Sequence, residues 1–211
     1  DLRADLLATA DEAQLVLSGF LVMLGLGQLG AGSVSDSLGR RPVMMFGALL
    51  FAVSGNVALL APNVWLLILM RVLQGIGAAA CMAMGRVIVN DSFSRDEAGR
   101  QLSTITMFQA VVPILGFAFG GMLADFVGWR GAVAVMVATA AVVLFATIFL
   151  LRETRLEKSP PMPVGRMIGV YVRLLGTPKF ISNAGAAALL TAAFFAMGGF
   201  MPYHFKSLGA S

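Results

Sequence analysis

The sequence predicts an all-α membrane protein with six transmembrane helices. Of its 211 residues, 58% are hydrophobic and only 12% are charged, and the mean hydropathy is +0.86. Soluble domains carry about 25% charged residues, so a soluble fold of this composition would expose far too much apolar surface. Six apolar windows have about the length of a helix that crosses a bilayer, which is roughly 20 residues. The sequence therefore predicts six membrane helices.

The connections between these windows alternate between very short and longer, charged segments. The short ones lie at 61–63 and 128–131. The predicted spans are Ala13–Val34, Pro42–Leu60, Val64–Val87, Leu102–Phe126, Ala132–Leu151 and Asn183–Tyr203.

Lysine and arginine residues fall unequally on the two sides of this topology. One side receives eleven of the 15 basic residues, the other receives three, and Arg71 lies within a span. Because basic residues accumulate in cytoplasmic loops, the first side is predicted to be cytoplasmic. Both ends of the chain then lie outside, so we expect a fragment preceded by at least one helix and followed by several.

The connection between the first two windows, VSDSLGRRPVM at 34–44, is the most informative run in the chain. Gly39 and Pro42 favour a tight reversal of the chain. Arg40 and Arg41 must remain in water on the cytoplasmic side. The run is therefore predicted to be a tight loop between two membrane helices, with Asp36 beside the arginines.

The segment 152–180 is predicted to be a cytoplasmic linker. It separates an N-terminal bundle at 1–151 from the first helix of a second bundle at 181–211. Three prolines at 160, 161 and 163 break helix. The apolar residues of Val164–Leu175 then recur at helical spacing, which predicts a helix on the inner membrane face.

Arg71 is the most costly residue in the spans, because a mid-helix arginine costs about 2.5–3.5 kcal/mol on insertion scales. It could extend to the outer interface, or it could face a polar cavity together with Gln74 on the same helix face. The cavity is the preferred interpretation, and Gly75 and Gly77 would allow close helix approach. Such an arginine can hold an anionic group or shift the pKa of a nearby carboxylate.

Other polar and small residues in the spans have two interpretations each. Gln28, Gln109 and Asn183 could face a substrate path or form interhelical hydrogen bonds. Pro113 predicts a bend, because it removes a backbone hydrogen bond. Gly116 and Gly120 form a G-x-x-x-G pattern that could serve helix packing alone or a protein that rocks between states.

The sequence offers no enzymatic constellation. It contains no metal-ligand cluster, no Ser/His/Asp set, no phosphate loop and no acid deep within a span. The single Cys81 is interpreted as a packing residue, and His204 as an interface residue. Binding of nucleic acid is not expected, since the topology accounts for the basic residues.

Several segments resemble the major facilitator superfamily. The run from Gly32 to Arg41 resembles its loop signature between helices two and three. The run from Arg71 to Ala79 resembles the fourth-helix signature of its twelve-span drug:proton antiporters. The run from Pro113 to Gly121 resembles their fifth-helix signature, and Arg152-Glu153-Thr154 is also similar. The overall pattern is closest to the Bcr/CflA drug-resistance branch, with helices two to seven present.

The resemblance implies roles at matching positions. Asp36 and Arg40 would belong to a cytoplasmic latch that favours the outward-facing state, and Asp91 would pair with Arg40. Arg71 would assist proton relay or binding. The fifth helix of the family corresponds to the predicted span Leu102–Phe126 in this chain. It would be bent and would line the interface between the two halves of the full-length protein. The full latch set is Gly32, Asp36, Gly39, Arg40, Arg41 and Asp91; the cavity set is Arg71, Gln74, Gln109 and Asn183; the bending and packing set is Gly75, Gly77, Pro113, Gly116, Gly120 and Gly121.

The sequence therefore predicts a monomeric secondary transporter of the bacterial inner membrane. It would export small amphipathic compounds in exchange for protons by alternating access, with the proton gradient as its energy source and no cofactor. A transporter of one metabolite, such as a sugar or a nucleoside, is an alternative. A non-transporting membrane scaffold or receptor is an alternative of another class.

Overall fold

The computed structural model contains six helices in the part of the chain that it describes. That part comprises the backbone at 6–155, 159–160 and 162–207, and the side chains there except at 10, 114, 117–118, 121–125, 164 and 194–207. The helices are α1 (Ala10–Leu38), α2 (Arg40–Leu59), α3 (Val64–Ser92), α4 (Arg95–Phe149), α5 (Val164–Leu175) and α6 (Pro178–Ser207). The chain divides into two compact units, Asp1–Pro161 and Met162–Ser211.

Three of the helices begin with side-chain caps supplied by neighbouring residues. Thr9 and Glu12 form a reciprocal capping box at α1. The Asn63 Oδ1 accepts from the Leu66 N–H at the start of α3. At α4, the Glu97 carboxylate accepts from both the N–H and the hydroxyl of Ser94. These contacts satisfy backbone donors that have no partner within the first turn of a helix.

The first connection is shorter than the predicted loop at 34–44, which is wrong in extent. Asp36 lies in the last turn of α1, and Arg41 and Pro42 lie in the first turn of α2. Only Gly39 separates the two helices, with φ +108° and ψ 160°, a conformation that residues with a side chain rarely adopt. Pro42 fits the first turn because a backbone N–H there has no helical partner.

Helix α4 contains the fourth and fifth predicted spans. Its backbone departs from helical dihedrals at Gly128, where φ is +72°, within the predicted connection at 128–131. This break divides α4 into a first half at 95–127 and a second half at 129–149. No such departure occurs at Pro113. The chain reverses at Gly128, since Gln109 contacts α3 while Arg130 and Ile148 contact the opposite ends of α2.

Helix α3 is the centre of the first unit, and glycines bring its neighbours close to it. Helices α1 and α2 both pack against α3, and α2 also packs against the second half of α4. A Cβ on Gly75 would lie 2.5 Å from the Phe20 oxygen of α1. A Cβ on Gly77 would lie 2.5 Å from the Gly47 oxygen of α2. Small residues thus allow close backbone contact, as in other membrane bundles.

Four of the described helices are long and apolar enough to cross a membrane: Asp11–Leu38, Arg40–Leu59, Val64–Ser92 and Phe126–Phe149. They contain the first and third predicted spans, and all but the last one or two residues of the second and fifth. The fourth and sixth predicted spans lie in the first half of α4 and in α6, and each includes side chains outside the described set.

The second unit contains α5 and α6. Helix α5 has the bounds expected from the sequence, and the side chains of Ile168, Val172 and Leu175 are exposed. Helix α6 begins at Pro178, earlier than the predicted span at Asn183. The assignment of 1–151, 152–180 and 181–211 to bundle, linker and second bundle stays a prediction.

The close contact between α2 and α3 predicts a difference between two glycines of the same helix. The substitution Gly77→Ala should lower the free energy of unfolding by about 1–3 kcal/mol, because the added methyl group forces the helices apart. The matched control is Gly85→Ala, where a Cβ meets nothing within 4 Å. Denaturation of the full-length protein in detergent measures both. Equal stabilities would contradict the packing described here.

Candidate functional site

The guanidinium of Arg40 joins three helices at one end of the first unit. Its Nη1 donates to Asp36 Oδ1 at 2.8 Å and to Ser35 Oγ at 2.6 Å, both on α1. Its Nε donates to Asp91 Oδ2 of α3 at 2.9 Å. Arg40 itself opens α2, so a single side chain connects the ends of α1, α2 and α3.

This cluster combines a buried cation with partly exposed anions. The side chain of Arg40 is 6% exposed and that of Asp36 is 43% exposed, while Ser35 is fully buried. A buried guanidinium is strongly destabilising unless hydrogen bonds and opposite charges surround it, and both are present here. Asp36 remains accessible to groups from outside the first unit.

A third carboxylate, that of Glu153, lies at the start of α2. Its Oε1 accepts from the Arg40 backbone N–H at 2.9 Å, and its Oε2 accepts from the Arg41 backbone N–H at 3.2 Å. Oε1 also accepts from the Arg155 backbone N–H at 2.9 Å. Burial raises the pKa of Glu153, but backbone donors from Arg155, Arg40, Arg41 and Thr154 outweigh it and hold the pKa below its usual value.

The segment after α4 runs alongside the turn at Gly39. Arg41 Nη2 donates to the Ile148 carbonyl at 2.7 Å, which places a cation at the C-terminal end of α4. The Ser159 N–H donates to the Asp36 carbonyl at 2.9 Å. Arg155 Nη2 donates to Ser159 Oγ and lies 4.0 Å from Asp36 Oδ1.

The structure therefore brings together five of the six residues assigned to the latch, namely Asp36, Gly39, Arg40, Arg41 and Asp91. Gly32 contributes its carbonyl, which accepts from Ser35 Oγ at 2.8 Å, and a Cβ there would meet nothing within 4 Å. The role of the set as a conformational latch stays a prediction.

Arg71 lies about 10 Å along α3 from its start, at 1.5 Å per residue. Its Nη1 donates to Gln74 Oε1 at 3.1 Å and lies 3.7 Å from Met136 Sδ of α4. Its guanidinium carbon is 5.4 Å from the Phe20 ring centroid of α1. The side chain is thus directed among helices, and it forms no ion pair with the described acidic residues.

Gln74 has an unsatisfied donor beside Arg71. The residue is fully buried, and its Nε2 has no hydrogen-bond partner in the described part of the chain. Leaving such a donor without an acceptor costs about 1–3 kcal/mol. Gln74 Nε2 is therefore a buried donor for which the described part of the chain supplies no acceptor.

The remaining polar candidates form mostly local contacts. Gln109 Oε1 accepts from Arg86 Nη2 of α3 at 2.9 Å, which is an interhelical hydrogen bond. Asn183 is exposed, and its Nδ2 donates to the Lys179 carbonyl of its own helix. Gln28 similarly donates to the Leu24 carbonyl. None of these three contacts Arg71 in the described structure.

The packing positions on the first half of α4 are open. A Cβ at Gly116 or Gly120 would meet nothing within 4 Å. Gly121 lies in the same helix but outside the residues whose surroundings are described. The predicted bending and packing roles of Pro113 and these glycines stay predictions.

An apolar cavity of about 340 Å³ opens between α2, α3 and the second half of α4. Met136 links it to the arginine, since this side chain both lines the cavity and contacts Arg71 Nη1. The lining residues are Ala48, Phe51, Ala78, Cys81, Met82, Met136, Thr139, Ala140 and Val143.

Residues 1–211 match the profile described as "Major Facilitator Superfamily" over their whole length. The chain belongs to this superfamily. Superfamily members are membrane transporters, which confirms the predicted fold class, the integral membrane location and the absence of an enzymatic role.

Individual relatives support the assignment. "Uncharacterized MFS-type transporter YdgK" of Bacillus subtilis (strain 168) is 31% identical over 211 residues, covering 99% of this chain and 52% of its own. "Multidrug resistance protein D" of Escherichia coli (strain K12) is 29% identical, covering 85% and 45%. The chain thus spans about half the length of the curated relatives it matches.

A solved transporter structure also resembles the chain. The human organic anion transporter MFSD10 (TETRAN) aligns with a TM-score of 0.59 and 30% identity, over 70% of this chain and 34% of that one. The agreement confirms the major facilitator fold.

Ser35, Glu153 and Arg155 were missing from the residues that the sequence assigned to the site. Arg152-Glu153-Thr154 carried the only signal for Glu153, as a family-like run after the fifth predicted span. No local pattern joins this run to Arg40, which is 113 residues away.

The lowered pKa of Glu153 predicts a pH-dependent stability. The folded form favours the ionised carboxylate, so its contribution is present above about pH 4.5, the ordinary glutamate value, and is lost as the pH falls through the lower folded value. The full-length protein should therefore be more stable than Glu153→Gln near neutral pH, with the difference shrinking in acid. Chemical denaturation across this range measures it. A constant difference would contradict the ionised state.

Proposed function

We propose that the full-length protein is a secondary transporter that exports small amphipathic compounds in exchange for protons. The observation that carries the proposal is the Arg40 cluster on a chain that belongs to a transporter superfamily. The name of the Escherichia coli relative refers to multidrug resistance, which supports drugs as cargo. The protein would act in the bacterial inner membrane as a monomer.

The Arg40 cluster suits a conformational latch. Asp36 is only partly shielded from solvent. Its carboxylate can therefore accept from backbone N–H groups at the N-terminus of a helix in the second half of the full-length protein, where negative charge is favoured. Arg40 holds Asp36 in place from one side, and Asp91 balances the charge of Arg40 from another. Contact with the second half would favour the outward-facing state, and loss of the contact would open the cytoplasmic side.

Arg71 and the adjoining cavity suit an amphipathic cargo. The cavity can take an apolar body, and the Arg71 guanidinium beside it can take a polar or anionic group. The same guanidinium can lower the pKa of a carboxylate that carries the transported proton. Such a carboxylate would come from outside the described spans, in which no acid forms an ion pair with Arg71.

Transport of one metabolite is the second candidate. Proteoliposomes with an imposed pH gradient separate the two candidates, because they report both cargo movement and proton release. A broad set of unrelated hydrophobic compounds should move in exchange for protons. Movement of a single sugar or nucleoside would favour the alternative, and no flux at all would favour a scaffold or receptor.

The latch predicts that Asp36→Asn impairs transport without preventing membrane insertion. The amide removes the negative charge that faces Arg40 and the second half of the full-length protein. The shape of the side chain is nearly kept. We expect export to fall about tenfold or more, the factor for a charge-assisted hydrogen bond of about 1.4 kcal/mol. The measurement is export from cells at matched protein levels. Asp96→Asn, an exposed change at the start of α4, serves as the control, and unimpaired export in Asp36→Asn would refute the latch.

Arg71 predicts a dependence on geometry as well as on charge. In Arg71→Lys the positive charge remains, but a lysine ammonium cannot present the planar set of donors that an arginine offers. Export should therefore decrease, with an altered pH optimum if Arg71 acts on a proton-carrying carboxylate. Arg130→Lys, which changes an exposed arginine of the second half of α4, controls for the substitution itself. Full activity of Arg71→Lys would indicate that charge alone suffices.

A further inference from the structure

We propose that Glu153 is a positioning residue for the latch: it fixes the start of α2 and thereby the place of the Arg40 guanidinium. This inference rests on the proposed transport function, since it assigns a further residue to the same conformational step. It concerns the segment between α4 and α5, which contains none of the predicted site residues.

The first observation is that α2 has no cap from its own neighbourhood. Gly39 precedes the helix and has no side chain, and its first turn contains no acidic residue. The turn instead begins with Arg40 and Arg41, whose positive charges are unfavourable at the positive end of the helix dipole. The other helices of the first unit are preceded by Thr9, Asn63 and Ser94, which are preferred capping residues.

The second observation is that Glu153 supplies this cap from a distant part of the chain. Its two oxygens accept from the first two backbone N–H groups of α2, at 2.9 and 3.2 Å. Its negative charge also compensates the helix dipole and the two arginines. The donors from Thr154 and Arg155 hold the carboxylate in place from its own segment.

The third observation is that the turn leaves space for this carboxylate. A Cβ on residue 39 would lie 2.5 Å from Glu153 Oε2 and 3.0 Å from its carboxyl carbon. Gly39 therefore serves both the positive φ of the turn and the approach of Glu153. The Ser159 N–H bond to the Asp36 carbonyl attaches the same segment to the end of α1.

Together these contacts hold Arg40 at both of its ends. Glu153 fixes its backbone nitrogen, while Ser35, Asp36 and Asp91 hold its guanidinium. A shift of the start of α2 would carry the guanidinium away from both aspartates. Because Glu153 lies on the segment that continues toward the second unit, displacement of that segment would be transmitted to the latch.

The test uses the full-length protein with a single cysteine at position 37, introduced as Ser37→Cys after replacement of its other cysteines. Position 37 lies in the last turn of α1, beside Asp36. The rate of labelling by a membrane-impermeant maleimide, measured in inside-out vesicles, reports how firmly this turn is held. We expect Glu153→Ala to raise the rate about tenfold, the factor for loss of a charge-assisted hydrogen bond.

Two comparisons separate positioning from a general loss of stability. Glu97→Gln weakens a cap that is chemically similar but local to α4, and it should leave labelling at position 37 unchanged. In a double-mutant cycle, Glu153→Gln and Asp91→Asn should have non-additive effects on labelling, because both act through Arg40. Additive effects, or unchanged labelling in Glu153→Ala, would overturn the inference.

Glu153→Gln also serves where Glu153→Ala does not fold, since its amide keeps one acceptor oxygen and loses the charge. Its expected labelling rate is intermediate, and a rate equal to that of the unmodified protein would count against positioning. Cargo export is measured in parallel. A protein that moves no cargo but shows the labelling changes refutes the transport proposal alone, whereas transport with unchanged labelling refutes the role of Glu153 alone.

Discussion

A buried arginine charge at the end of a helix hairpin is the constraint on which the Gly39 end of the first unit depends. Arg40 cannot remain buried unless carboxylates and hydroxyls reach it, and Asp36, Ser35 and Asp91 come from two other helices. The ends of α1, α2 and α3 must therefore meet in one register. The glycine contacts of α3 with α1 and α2 permit the same arrangement further along the helices.

The first, second, third and fifth spans could be predicted because the bilayer imposes a length and a composition on each of them. The break at Gly128 lies within the connection predicted at 128–131, which the short gap between two apolar windows indicated. The extent of the Gly39 turn was not predictable. Charged residues at 36, 40 and 41 suggested a loop, whereas the structure extends both helices through them and satisfies their charges by pairing.

Contacts between distant segments set the limit of prediction at the candidate site. Asp91 could be assigned to Arg40 because a resemblance and a shared membrane side both indicated it. Glu153 could not, because nothing in the local sequence states where a carboxylate after α4 will lie. The donors around Arg71 are similar: the helical spacing placed Gln74 beside it, but Met136 and Phe20 follow from packing alone.

The space shared by Gly39 and Glu153 has an evolutionary consequence. A side chain at position 39 would occupy the place of the Glu153 carboxylate. In a relative without an acid at position 153, this steric reason for glycine at position 39 would disappear. The conformational reason, set by the positive φ, would remain. The two positions are therefore expected to covary among homologues, with asparagine the first tolerated replacement at the turn once the acid is gone.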